Sequence, residues 1–190
     1  VGAGRGRRLH RYANGEDDSP VLADPAEAKG YSISTTFRED LTEMSAARLV
    51  LLDLADSVTA RMRADAKRAG GVSVTMRSSD FRDRSHQTRL SEPTDVTDEV
   101  CETARRLLAE AWNGRTPLRL LGIALTHLKS EDALQLSLFS DERRERARRM
   151  DKAVDALRRD LGFDIIRRGG GADVGRKYRA QLENRRERRP

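Results

Sequence analysis

The stretch VSVTMRSSDFRDRSHQTRL, residues 72–90, decides how this chain folds. Val72, Val74 and Met76 alternate with Ser73, Thr75, Arg77 and Ser79, which is the two-residue period of a strand with one apolar and one polar face. After the short DFRD comes a second strand, RSHQTRL, which is mostly polar. Two strands follow one another here without a helical pattern between them. Their neighbours on either side are helices.

Upstream, residues 40–69 carry Leu51, Leu54, Ala55, Val58 and Met62 at helical spacing. Asp40 with Glu43 three residues on makes a variant of the capping box, and Gly70 and Gly71 are expected to stop the helix. Before it, GYSISTTF points Tyr31, Ile33, Thr35 and Phe37 one way and Ser32, Ser34 and Thr36 the other. Downstream, SEPTDVTDE opens a helix bearing Val100, Ala104, Leu107, Leu108 and Ala111 up to Gly114. TPLRLLGIALTHL then forms a last strand, with Leu121, Ile123 and Leu125 on one face. Residues 30–128 therefore predict an α+β domain of the ferredoxin-like split βαβ order, βαββαβ. Two amphipathic helices cover one face of a four-stranded antiparallel sheet, and the other face stays open.

The flanks differ in character. Residues 1–15 predict a short basic helix stopped at Gly15, and residues 16–29 have the acidic, proline-containing composition of a linker. Residues 129–140 join the domain to a charged helix whose Met150, Ala153, Val154, Leu157 and Leu161 make a narrow apolar stripe ending at Gly162. FDIIRRGGG suggests a short strand, closing a unit over residues 141–170. Residues 171–190 have the composition of a disordered basic tail.

Charge location matters more than the net charge of +6. Residues 141–190 carry 17 Lys and Arg against 10 Asp and Glu, whereas residues 1–140 carry 20 against 21. If the first 140 residues bind nucleic acid, they do so with a local face rather than a global field. No apolar run is long enough to span a membrane, and the opening VGAGRGRRLHRY lacks the apolar centre of a signal peptide. Beginning at Val1 rather than Met, the chain is expected to be a piece of a longer protein. Its single cysteine, Cys101, falls in a helical pattern and is expected to be buried; it leaves no internal disulfide and fits a reducing cytoplasm.

Ser32, Ser34, Thr36, Ser73, Thr75, Arg77, Ser85 and Gln87 fall on the open face. Hydroxyls and cations at strand spacing suit phosphate oxygens and carry little sequence information. A solvated sheet face is the plain alternative, because antiparallel sheets often meet water on one side. His86, on the same strand, reads as a further residue of that face. His10, His86 and His127 lack partners at ligand or triad spacing. The acidic clusters EDDS and SDERRER suit a linker and a helix start. No catalytic residue and no metal site is expected. GAGRG lacks the preceding strand and following βαβ unit of a dinucleotide loop.

Taken in order, GYSISTTF with EDL, VTMRSSDFRDRSHQTRL, PTDVTDEV, PLRLLGIALTHL, QLSLF and RRMDKAVDALRRDLGFDIIRRG resemble the C-terminal part of Y-family DNA polymerases of the bacterial DNA polymerase IV (DinB) type. The resemblance implies that residues 1–15 end a thumb domain and that residues 30–128 are a little finger domain gripping double-stranded primer–template DNA. The implied backbone contacts are Ser32, Ser34, Thr36, Ser73, Thr75, Arg77, Ser85, Gln87 and Arg89. Two departures stand out: Arg84, where an apolar or hydroxyl residue is common, and Ala124, where a polar one is.

The parent would be a DNA-directed DNA polymerase active in translesion synthesis, with magnesium held by a palm domain upstream. These residues alone would be inactive and hold no cofactor. A cytoplasmic monomer is expected. The resemblance also makes QLSLF a sliding-clamp peptide docking through Gln135, Leu136, Leu138 and Phe139. Adjacent Leu138 and Phe139 would point to opposite faces of a strand, whereas an extended peptide entering a pocket can bury both. An edge strand or a hydrophobic staple for the next helix is the plain alternative. Two other functions remain open: a stand-alone, non-catalytic DNA- and clamp-binding adaptor, and an RNA-binding domain. The latter class stacks bases on sheet aromatics, which this outward face lacks.

Overall fold

The structure, a computed structural model, describes residues 2–20, 28–130 and 142–168. Its elements are α1 (Ala3–Ala13), β1 (Tyr31–Leu41), α2 (Met44–Ala64), β2 (Lys67–Ser78), β3 (Asp83–Thr94), α3 (Thr97–Ala111), β4 (Leu118–Ser130) and α4 (Glu142–Leu161), followed by a 3-10 turn at Phe163–Ile165. The four strands form one antiparallel sheet in the order β1-β4-β2-β3. Each pair of strands joined by a helix is thus separated by one antiparallel strand, which is the split βαβ arrangement. The expected α+β class holds.

Periodicity explains the core. On β1, Tyr31, Thr35 and Phe37 are buried, while Ser32, Ser34 and Thr36 are exposed. Val72, Val74 and Met76 of β2 and Leu121, Ile123 and Leu125 of β4 complete the apolar floor under the helices. α2 buries Val50, Leu51, Leu54, Ala55, Val58 and Met62; α3 buries Val100, Cys101, Ala104, Leu107 and Leu108. Burial pushes the Cys101 thiol above its ordinary range. Where α2 meets α3, the buried Thr59 Oγ1 lies 2.9 Å from Thr97 Oγ1 and donates to Ala55 O at 2.7 Å. Each fully buried large side chain stabilises the fold by about 1.5–3 kcal/mol.

Three boundaries differ from the sequence expectation. Asp40 does not cap α2: it belongs to β1, where its carboxylate meets Arg119 of β4 at 3.3 Å. Phe37 and Leu41, four residues apart, both face inward as alternation requires, and despite a register shift between Thr36 and Leu41 pairing with β4 resumes at Leu118, so tertiary pairing extends the strand at the helix's expense. Gly70 and Gly71 do not stop α2, which ends at Ala64 with a left-handed Ala66 (φ 50°); both glycines lie inside β2. The expected strand in FDIIRRGGG is a 3-10 turn after Gly162 (φ 94°).

α4 docks in an unexpected orientation. Its buried residues are Asp151 and Arg158, whereas Met150, Leu157 and Leu161 of the apolar stripe are 47%, 44% and 64% exposed. The surface it meets is ionic. Arg63 grips Asp155 in a bidentate pair at 2.6 and 3.0 Å, and Arg158 meets Asp56 at 2.6 Å. Arg148 meets Asp95 at 2.8 Å, Asp151 accepts from the Thr97 N–H at 2.8 Å, and Arg168 bridges Asp56, Asp98 and Asp151. Charged partners waiting on α2 and at the start of α3 outcompete an apolar stripe that finds no apolar surface to cover. Among the described residues no helix is long and apolar enough to cross a membrane.

Candidate nucleic-acid interface

Paired residues on neighbouring strands share a face of the sheet. Ser32, Ala124, Ser73 and Gln87 form one row on the side away from the helices. Ser34, Gly122, Thr75 and Ser85 form the next, and Thr36, Leu120, Arg77 and Asp83 a third. Thr126, Gly71 and Arg89 make a fourth at the opposite end. The structure therefore brings Ser32, Ser34, Thr36, Ser73, Thr75, Arg77, Ser85, Gln87 and Arg89 together on one face.

His86 is the exception and a correction. It pairs with Val74, which pairs with Ile123, so it lies in a helix-side row. A strand's two-residue period forces it there, because Ser85 and Gln87 on either side face the open side. Its exposure comes from the edge position of β3, not from the open face. Arg84 pairs with Met76 and also belongs to the helix side. Ala124 sits on the open face as its spacing requires.

The middle of the face is flat and lined with hydroxyls. A Cβ on Gly122 would come within 2.9 Å of Ser34 Cβ, so no side chain can rise there. Ser73 Oγ and Thr75 Oγ1 lie 3.1 and 3.4 Å from Ser85 Oγ. Hydroxyl protons rotate, so these groups can turn from one another to a phosphate oxygen. At one end Arg77 is held by Asp83 through two bonds of 2.6 and 2.8 Å. The hydrogen bonds from Arg77 hold the Asp83 carboxyl below its ordinary range, and the same pair raises Arg77. Asp83 is a carboxylate on the face that sequence reasoning missed, although its alternation with Ser85 and Gln87 placed it there.

At the other end lie Thr126 and His127, also missed. Leu125 is fully buried and Leu128 packs against the same core, three residues apart rather than two. The break in alternation occurs at His127, whose φ of 52° is left-handed. It swings the imidazole onto the open face beside Thr126, with Nδ1 3.0 Å from Thr126 Oγ1 and Nε2 3.1 Å from Arg89 Nη2. The signal was legible as two leucines at the wrong spacing for a strand, opposite a pair of glycines.

Gln135, Leu136, Leu138 and Phe139 of QLSLF lie outside the described residues, as does the basic tail from residue 169. Among the described residues no three of His, Cys, Asp or Glu converge.

Residues 28–138 match the C-terminal domain of the impB/mucB/samB family. The chain is 34% identical over 157 residues to a DNA polymerase IV of Clostridium acetobutylicum, covering 83% of this chain and 39% of that one. It is 36% identical over 141 residues to DNA polymerase IV 2 of Bacillus subtilis, covering 72% and 34%. A solved complex of a beta-clamp processivity factor with the little finger domain of PolIV aligns at a TM-score of 0.43 and 21% identity, over 58% of this chain and 99% of that domain. The chain thus spans between a third and two fifths of the length of these curated relatives. With the family's domain matched over more than half its length, the chain belongs to the impB/mucB/samB family, and the resemblance to the C-terminal part of DNA polymerase IV holds.

Proposed function

We propose that this chain serves a translesion DNA polymerase of the DNA polymerase IV type, gripping primer–template duplex by its sugar–phosphate backbone and attaching to a sliding clamp through QLSLF. The observation that carries the grip is the gathering of hydroxyls and guanidinium groups in register on one helix-free face. Serine and threonine O–H groups donate to phosphate oxygens whatever the base sequence. Arg77 exchanges its Asp83 partner for a phosphate, and Arg89 supplies a second cation. The clamp reading rests on the resemblance of QLSLF, with Gln135, Leu136, Leu138 and Phe139, to the clamp-binding peptide of DNA polymerase IV. Burying three large apolar side chains is worth about 4.5–9 kcal/mol, and ordering the peptide costs several of these. The remainder falls short of the about −8 kcal/mol of a micromolar complex, so the tether is weak.

Duplex binding by the full chain, followed by fluorescence anisotropy, tests the grip. Placing carboxylates at the centre of the face with Ser34→Glu and Thr75→Glu is expected to weaken binding tenfold or more, or about 1.4 kcal/mol, equally for duplexes of unrelated sequence. Unchanged affinity, or strong sequence preference in the unaltered chain, refutes it. For the clamp, Leu138→Ala with Phe139→Ala is expected to abolish measurable clamp binding while leaving the melting temperature in place.

A further inference from the structure

Two cations of the open face are held in different ways. Arg77 is neutralised by a bidentate carboxylate, whereas Arg89 has no carboxylate partner among the described residues and instead meets the imidazole of His127. A guanidinium only donates hydrogen bonds, so Nε2 of His127 must accept from Arg89 Nη2 and carry no proton. The proton then sits on Nδ1, which donates to Thr126 Oγ1 at 3.0 Å. That leaves the Thr126 O–H free to donate elsewhere, beside the remaining N–H groups of Arg89. Three donor-bearing side chains from two non-neighbouring strands are thus tied together with their positive charge intact.

The backbone is shaped around this cluster. A Cβ on Gly71 would lie 2.7 Å from Thr126 Oγ1 and 2.9 Å from His127 Nδ1, and one on Gly70 would lie 2.9 Å from His127 O. Only a pair of glycines leaves room for the ring to lie across β2 and reach β3. β3 itself bows outward beyond this point: Arg89 and Thr94 face Gly71 and Ala69, so the strand carries extra residues between them. A histidine at positive φ costs of order 1–3 kcal/mol of strain, which the surrounding pairs must sustain.

We propose that Arg89, Thr126 and His127 form a discrete phosphate seat above the Gly70–Gly71 step, with His127 positioning Arg89. The ligand class is a phosphodiester oxygen of duplex DNA. Arg89 supplies the charge and Thr126 a second donor. His127 holds the guanidinium across the width of β2 with a neutral acceptor, so the cation is fixed but not neutralised. This rests on the reading of the open face as a duplex grip.

The experiment measures duplex binding by the full chain across a salt series. Each phosphate neutralised contributes about 0.9 to the slope of log K against log salt. Arg89→Gln is expected to reduce the slope by about 0.9 with a several-fold loss of affinity. His127→Gly relaxes the left-handed backbone, so the melting temperature is expected to rise while slope and affinity fall with those of Arg89→Gln. The double variant is expected to lose no more than either alone. His127→Asn, which tolerates positive φ and offers an amide oxygen, is expected to retain the slope.

A merely structural role for His127 leaves the salt slope of His127→Gly at the unaltered value, and that result overturns the proposal. Additive losses in the double variant do the same. If the central Ser34→Glu and Thr75→Glu variant also binds normally, the duplex-grip reading itself has failed. If that variant weakens binding and His127→Gly does not, only the phosphate seat has failed.

Discussion

Arg158→Ala should undock α4 without unfolding the domain beneath it. Arg158 is 6% exposed and donates to Asp56 at 2.6 Å and to the Ile166 carbonyl at 3.1 Å from Nε and 2.8 Å from Nη2. Its guanidinium also lies 4.2 Å from the centre of the Phe163 ring. Truncation removes all of these and leaves Asp56, also 6% exposed, with only the 3.4 Å contact to Arg168 among the described residues. Breaking a buried pair costs about 3–5 kcal/mol, and the remaining Arg168 contact argues for the lower end. At 1.4 kcal/mol per tenfold, about 3 kcal/mol is a factor on the order of 10².

The loss is local because the apolar core lies in β1, α2, β2, α3 and β4, and α4 contributes no residue to it. Hydrogen exchange resolves such sub-global opening. Amides of α4 are expected to exchange about 10²-fold faster in the variant, while those of β2 and β4 keep their protection. Equal loss of protection in α4 and the central strands refutes the reasoning, as does unchanged exchange in α4.

Two further outcomes follow from particular contacts. Asp83→Asn frees Arg77 and removes a carboxylate from the open face, so duplex affinity at low salt is expected to rise several-fold in an anisotropy titration; an unchanged affinity would show that Arg77 does not meet phosphate. Burial and the hydrogen bond to Asp65 push the Tyr31 phenol up to about 12. The unfolded phenol ionises near pH 10, so the stability Tyr31 supplies is full below about pH 10 and is lost as pH climbs toward 12. Relative to Tyr31→Phe, the unaltered protein is expected to lose about 2–3 kcal/mol across that window. Urea midpoints at several alkaline pH values measure this, and parallel curves for the two proteins would rule it out.

Much of the fold and of the face was legible in the chain because both depend on short-range periodicity. Val72, Val74 and Met76 alternate with Ser73, Thr75 and Arg77, so residue order alone assigns each to a side. The same rule should have excluded His86, since no regular strand can present Ser85, His86 and Gln87 on one face. Periodicity failed at His127 for the opposite reason: there the strand is irregular, as the three-residue spacing of Leu125 and Leu128 signals, but only the fit of an imidazole over two glycines on β2 shows where the ring goes. Asp40 and Gly70 misled because cap and stop residues are local signals, and pairing with β4 and β3 overrode them.

The sequence by itself determined the element order, the apolar side of each strand and helix, and the polar character of the face left uncovered. Only the tertiary structure decided the order of strands across the sheet, the inward turn of α4's charged face, and the meeting of Arg89 with His127. Each of these depends on which surfaces compete for the same partner. Asp56 and Arg63 of α2 lie far along the chain from Asp95 and Asp98 at the start of α3, and the two pairs become one ionic surface only when α2 and α3 pack together. That assembled surface, not the apolar stripe within α4, sets how the helix docks.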